Sequence, residues 1–376
     1  MHTIHFHLHT YSISCAEHRI ELIRKEFELL RYLYEHLQRP RSREQMLDAV
    51  WSMETPTDRT VDDHVYRLRK KLQPITHLYT LDTIRGFGYQ LSSTQTQART
   101  VITDPHFVDS SEQLLRTYHL YGNSQALDLM LSEHALGIQP PAGIQLSYAF
   151  MKGEFQRIIT DQTFHFSDKL LFFLYMLLYD ESYQEVQHYY EAAMMQNKFS
   201  ARSMHEAQTL FPLYFYLRTR QFEEARQVME RAEDIITNEE HGFYPFFCNC
   251  KLIYGMCTGD PLIAKQQIET LEYFFQRKPY IREKGVYTVL SGIHALLEGE
   301  RPRGYEKVQE GLALLNQAQI VSHYILSLDI LRLFFELGLK EKKLQRSVLE
   351  KWRTIIEPYD NPHFKTSIIR QLQSSL

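Results

Sequence analysis

Long apolar runs are missing from this chain. The nearest approach, Leu170 to Leu178, is bracketed by Asp168 and Asp180 and falls short of the roughly 20 residues a membrane-spanning helix needs. The first twenty residues alternate in polarity and lack the apolar centre of a secretory signal. The reading is a cytoplasmic protein with no membrane partner. Cysteine is scarce too. The four present, Cys15, Cys248, Cys250 and Cys257, are too few in a chain this long for a disulfide scaffold. Cys248-x-Cys250 with Cys257 fits no common zinc spacing and lies among Phe246, Phe247 and Tyr254, so buried reduced thiols are expected. There is no glycine-rich phosphate loop, no His-Glu-x-x-His and no Gly-x-Ser-x-Gly. His188, His205, His241, His294 and His323 are scattered. Neither enzymatic activity nor a cofactor or metal is expected. Glycine is sparse, at 15 residues against 24 Tyr and 22 Phe, a balance that suits long packed helices.

A strong charge of one sign is also absent. The whole chain is at −4, and residues 1–97 hold 13 Lys and Arg against 12 Asp and Glu. A nonspecific nucleic-acid binder would be far more basic, so any footprint must be local. The basic residues do cluster, at 67–71 and at Arg85.

At 376 residues, two or three domains are expected. His5, His7 and His9 alternate with Ile4, Phe6 and Leu8, the period of a strand with one apolar face. A solvated histidine face is the expected reading. Tyr11 to Ser14 and Arg19 to Leu22 continue as short strands. A first helix, Arg24 to His36, carries Phe27, Leu30, Leu33 and Tyr34 at the spacing of a buried stripe. Ser42 followed by Gln45 opens a second helix with a capping box, burying Met46, Leu47, Val50 and Trp51. A third helix runs from near Thr60 to Leu72. Val61, Val65, Leu68 and Leu72 dock it, while Tyr66, Arg67, Lys70 and Lys71 project away. Tyr79 to Leu91 reads as a hairpin around Arg85-Gly86-Phe87-Gly88.

In this order the elements resemble the DNA-binding domain of OmpR/PhoB-type response regulators, a small α+β winged helix-turn-helix. The resemblance makes the third helix the recognition helix. It implies double-stranded DNA as partner, with Tyr66, Arg67, Arg69, Lys70, Lys71 and the wing's Arg85 as contacts. It also implies that the loop Ser52 to Arg59 can touch RNA polymerase. Asp63 stands where the family usually has an aliphatic residue. Some twenty residues precede the match, too few for a phosphorylated receiver domain, so aspartyl phosphorylation within this chain is not expected.

Residues 1–93 are therefore assigned to the winged domain, 94–104 to a linker in the polar stretch Ser92 to Thr100, and 105–376 to helical repeats. The repeat unit is an aromatic helix, a turn and an amphipathic helix. The second helices align at Tyr183, Phe222, Pro261, Tyr305 and Leu344, spaced 39, 39, 44 and 39 residues, with Val186, Ala225, Ala264, Val308 and Ser347 in the fourth position. The aromatic helices are Leu170 to Tyr179, Leu210 to Leu217, Phe243 to Cys257, Tyr287 to Leu297 and Tyr324 to Leu337. Ser111 to Tyr121 with Asn123 to Leu136, and Ala142 to Thr160, supply earlier units, and Phe364 to Leu372 a closing cap. The architecture resembles tetratricopeptide-like solenoids, whose stacked hairpins make a concave binding surface. The fold class is mainly α.

A winged DNA reader joined to such repeats is similar in plan to the RRNPP peptide-pheromone receptors and to the SARP activators. The plan implies a homodimeric transcription regulator gated by a short peptide. Polar residues of the aromatic helices would line its groove: Arg202, His205, Tyr214, Asn249, Lys251, Tyr287, His294 and Arg332. The alternative is a ligand-independent module that recruits or sequesters a protein partner.

Overall fold

The computed structural model describes residues 4–8, 10–51, 58–93, 104–132, 137–138, 140–359 and 362–376. The chain divides into two compact units, Met1–Thr100 and Val101–Leu376. His9, most of the Ser52 to Arg59 loop, most of the Ser92 to Thr100 linker and the end of the Asn123 to Leu136 segment lie outside the described residues.

The first unit opens with an antiparallel meander, β1 (His5–His7), β2 (Ser12–Cys15) and β3 (His18–Glu21), in that order. His5 and His7 are exposed, and the alternating Phe6 packs edge-on against Phe27 at 5.5 Å. Three helices follow: α1 (Arg24–Glu35), α2 (Arg43–Trp51) and α3 (Asp58–Lys71). The Ser42 hydroxyl accepts from the Gln45 N–H at 3.1 Å, and the Gln45 side chain accepts from the Ser42 N–H at 3.0 Å, so the capping box is reciprocal. A short strand β4 (Arg41–Ser42) pairs with the hairpin β5 (Tyr79–Ile84) and β6 (Gly88–Ser93) in the order β4-β6-β5. The hairpin closes through Ile84 opposite Gly88, and Gly86 takes φ +74, a left-handed turn position that suits glycine.

The second unit is helical throughout its described residues. It begins with α4 (Pro105–Tyr121), α5 (Ser124–Ser132), α6 (Ala142–Met151) and α7 (Phe155–Thr160). Paired helices follow: α8 (Phe166–Tyr179) with α9 (Tyr183–Met195); α10 (Ala201–Gln208) and α11 (Leu210–Arg218) with α12 (Phe222–Glu233); α13 (Tyr244–Thr258) with α14 (Pro261–Arg277); α15 (Ile281–Leu297) with α16 (Arg301–Gln317); and α17 (Val321–Glu336) with α18 (Lys342–Ile356). A last helix, α19 (Pro362–Ser375), packs on α7 and α8.

Two features differ from the sequence reading. Helix α16 starts at Arg301, a turn before the predicted Tyr305, because Pro302 lies inside its first turn, where no N–H partner is required. Its fourth residue is then Gly304, and the second helices start at Tyr183, Phe222, Pro261, Arg301 and Lys342, a more even period than predicted. The aromatic helix before α12 starts at Leu210 as expected, but a helix not foreseen, α10, precedes it across a break at Thr209 (φ −121, ψ −76), because Pro212 has no N–H to return to Gln208.

The aromatic helices pack in succession from α8 to α10, from α11 to α13, α15 and α17, and then α17 packs on α6 and α6 on α8. The row closes into a ring. Polar ties lock the closure: Lys152 Nζ donates to Gln319 at 2.7 Å, the Tyr359 hydroxyl to the Gly153 carbonyl at 2.6 Å, and Gln371 to the Ile159 carbonyl at 3.1 Å. The inner faces of these helices surround the interior of the helical unit.

Candidate nucleic-acid face and buried cavity

Helix α3 is amphipathic with an unusual outer stripe. Val61, Val65, Leu68 and Leu72 are buried against the first unit's core. Asp63, Tyr66, Arg67 and Lys70, at the i, i+3, i+4, i+7 spacing, are exposed. Tyr66 is 59% exposed, and Lys70 Nζ sits 4.6 Å from its ring centroid. Arg85 is exposed at the wing turn, and beside it stands exposed Phe87, an aromatic tip that the sequence reading did not single out.

Two predicted contacts are placed elsewhere. Arg69 turns onto the wing: its Nε donates to the Leu81 carbonyl at 2.7 Å and its Nη2 to the Thr83 hydroxyl at 2.8 Å. Lys71 turns inward and pairs at 2.7 Å with Glu26, a buried carboxylate that also accepts from the Ile23 N–H. Both side chains brace the domain instead of extending the outer stripe. Asp62 is likewise engaged: Arg43 Nε (2.8 Å) and the Tyr89 hydroxyl (2.7 Å) both donate to its Oδ1. Burial alone would raise the Asp62 carboxyl, but the hydrogen bonds from Tyr89 and Arg43 outweigh it and hold it below the ordinary carboxylate range. The acid at the helix start is thereby part of a brace joining α2, α3 and β6.

A meander, three helices and a hairpin wing constitute a winged helix-turn-helix. The family model described as "Transcriptional regulatory protein, C terminal" matches residues 17–91, so the first unit carries an OmpR/PhoB-type DNA-binding domain, followed by a long all-helical region. Similar proteins include the phosphate regulon transcriptional regulatory protein PhoB of Escherichia coli (strain K12), 40% identical over 85 residues, 22% of this chain and 37% of that protein. The alkaline phosphatase synthesis transcriptional regulatory protein PhoP of Bacillus subtilis is 43% identical over 84 residues, 22% of this chain and 35% of that protein. The solved DNA-binding domain of Bacillus subtilis CssR is 37% identical, covering 24% of this chain and 99% of that domain, with a TM-score of 0.21. The chain spans little more than a third of the length of these curated relatives.

In the helical unit, the residues expected to line a peptide groove are not brought together. Tyr214 is fully buried and donates to Asp329 at 2.8 Å. Asn249 is buried and donates to the Glu283 carbonyl at 3.1 Å. Tyr287 is packed on Phe275, and Arg332 is held between Glu181, Asp329 and the Trp352 ring. Lys251 pairs with Glu233 at 2.7 Å, and His294 is half-buried in the last turn of α15. Only Arg202 and His205, both exposed on α10, border the interior: the Arg202 guanidinium lies against Gly143, and its charge reaches His119.

The ring instead encloses a cavity of ≈ 220 Å³. Aromatic side chains form part of the wall, among them Phe150 of α6, Phe172 and Tyr175 of α8, and Phe246 of α13. The polar part comes from His119, Glu206, Arg282, Glu283 and His323. Arg282 and Glu283 are 12% and 5% exposed and pair at 3.2 Å. Arg282 also donates to the Leu120 carbonyl at 3.2 Å, and the Tyr175 hydroxyl to Glu206 at 2.9 Å. Burial and the nearby Arg282 charge push His119 down to about 3 and His323 well below its usual range, so both rings are neutral at pH 7. Burial raises the Glu206 and Glu283 carboxyls. Glu206, Phe246, Glu283 and His323 recur about 40 residues apart, at corresponding places near the starts of successive aromatic helices. That period was the available signal, and it required the repeat register first.

Burial also pushes the Cys248 thiol up to about 11 and the Cys257 thiol up to about 12.

Proposed function

We propose that this chain is a transcription regulator whose first unit reads duplex DNA sequence-specifically, and whose helical unit receives the signal that alters that reading. The supporting observation is the outer stripe of α3. Its planar and basic side chains, Tyr66, Arg67 and Lys70, face away from a fully docked apolar face, which is what insertion in a major groove requires. Arg85 at the wing turn is suited to the adjacent minor groove. Gating works by population shift: a ligand that prefers one arrangement of the helical ring changes the affinity of paired first units for two half-sites, and DNA changes ligand affinity by the same factor. A short signalling peptide in the concave face of the repeats is the ligand the plan of the chain suggests.

A second reading, recruitment of a protein partner such as RNA polymerase, is supported by apolar side chains on α14. Leu262 is 78% and Tyr273 61% exposed.

The test of DNA reading is a gel-shift series at fixed physiological salt. Replacing Arg67 or Lys70 with Ala weakens specific binding by ~1–3 kcal/mol where the side chain reads a base. Equal binding by the double variant and the parent rejects the assignment.

A further inference from the structure

The cavity at the centre of the ring is polar in an incomplete way. Glu283 Oε2, Arg282 Nε and His119 Nδ1 are all buried and all without a hydrogen-bond partner, and all three residues line the same space. Buried polar groups in folded proteins are nearly always satisfied, and an exception points to something that binds there. Two carboxyl groups, Glu206 and Glu283, face one buried guanidinium, Arg282. Arg202 lies at the border with its side chain exposed. The aromatic wall adds ring faces that attract a cation.

We infer that this cavity is the binding site for a small primary amine with a compact aromatic or branched apolar body. The ammonium pairs with the Glu283 carboxyl group. A hydrogen-bond acceptor on the same molecule, where present, meets Arg282 Nε or His119 Nδ1. The body packs among Phe150, Phe172 and Phe246. A space of ≈ 220 Å³ is large enough for a molecule such as an arylalkylamine. This inference rests on the reading of the helical unit as the signal receiver, and it names the class of signal.

The experiment uses the full chain and three probes of similar shape: phenethylamine, L-phenylalanine and 3-phenylpropionate. They carry an amine alone, an amine with a carboxylate, and a carboxylate alone. Calorimetry and thermal shift are expected to show binding by at least one amine and none by 3-phenylpropionate. Glu283→Gln is expected to weaken amine binding at least tenfold. Phe246→Trp, which narrows the space, is expected to weaken amine binding and to leave the far-ultraviolet circular dichroism unchanged, so one variant stays informative if the other fails to fold. Binding of 3-phenylpropionate as tight as that of the amines, an affinity unmoved by both variants, or no binding by either amine overturns the inference, the last leaving a cavity filled by water alone. Gel shifts with and without amine separate this site from the gating reading. Amine binding with unchanged DNA affinity keeps the site and rejects the gating. An effector that shifts DNA affinity equally in the parent and in Phe246→Trp keeps the gating and rejects the site.

Discussion

Gly311→Ala should destabilise the helical unit, although in most helices the change would help. Alanine is the better helix former by about 1 kcal/mol. At this position, however, a Cβ would lie 2.7 Å from the Gly285 carbonyl oxygen and 2.8 Å from the Val289 nitrogen, both backbone atoms of α15. Ordinary carbon contacts are nearer ~3.5–4.0 Å, so α15 and α16 would have to part by nearly an ångström. The separation would also loosen the contact at Gly292 and Gly304, where the same two helices approach closely. Overpacking of this kind costs ~1–3 kcal/mol, which the helix-propensity gain only partly offsets. A net loss of up to ~2 kcal/mol lowers the unfolding midpoint by up to roughly 6 °C in a unit of this size. Urea titration of the purified protein, followed by far-ultraviolet circular dichroism, reads the same loss as a lower midpoint at constant slope. An unchanged or raised midpoint would show that the two helices are not held at this distance, and the reasoning would fail.

Three further outcomes bear on the first unit. Lys71→Ala strips the buried Glu26 of its cation; Lys71 is about a third exposed, so the loss is ~1–3 kcal/mol, below the range for a fully buried pair. A shallower salt dependence of DNA binding without loss of stability would instead make Lys71 a phosphate contact. Arg85→Ala should weaken binding most at sites with A·T-rich flanks, where the minor groove is narrow; affinity of the parent that ignores flank composition refutes that role. The Asp62 carboxyl is held below its usual 3.8 in the folded state. It therefore contributes stability at pH values above that figure, and the contribution disappears as pH falls through the lower folded value. Asp62→Asn should flatten the acid limb of the first unit's stability curve, and an acid limb identical to the parent's would count against the brace.

The first unit was legible because its signals are local. Ser42 and Gln45 cap across three residues, Val61 to Leu72 repeat at helical spacing, and Gly86 marks the hairpin. What pattern could not show was the destination of long side chains. Arg69 and Lys71 read as members of the same basic run as Arg67 and Lys70, yet their partners, Thr83 and Glu26, come from other elements. In the second unit the helices were visible, but the start of α16 was placed at Tyr305, a turn after Pro302, which sits in its first turn, and that hid the regular period. Ring closure was out of reach for a different reason. It depends on α6 meeting α17, segments separated by most of the unit, and no local rule encodes such a contact. The cavity follows from the closure, so its residues could be found only through the roughly 40-residue period of Glu206, Glu283 and His323, which needs the repeat register first; His119 and Arg282 share no motif with them.

The ring holds a second buried polar cluster, and the comparison isolates what is unusual about the first. Arg218, 3% exposed, donates through Nε to Asp329 at 2.9 Å and through Nη1 and Nη2 to Glu336 at 3.0 Å each, while Tyr214 completes Asp329. That arrangement joins α11 to α17, with the planar fork matched to a carboxylate. Every side-chain nitrogen of Arg218 has a carboxylate partner. Arg282 and Glu283 are held in the same ring by the same kinds of helix, and yet one donor and one acceptor there have no partner. Each unmade bond at a buried group costs ~1–3 kcal/mol. An occupant that supplied the partners would recover that free energy only in the folded state. Its binding would then raise the unfolding midpoint in proportion to its free concentration over its dissociation constant. A cluster built only to fasten helices has no such dependence. The helical unit should accordingly show a ligand-dependent midpoint that Glu283→Gln reduces and that replacement of Arg218 leaves in place, however much the latter lowers stability overall.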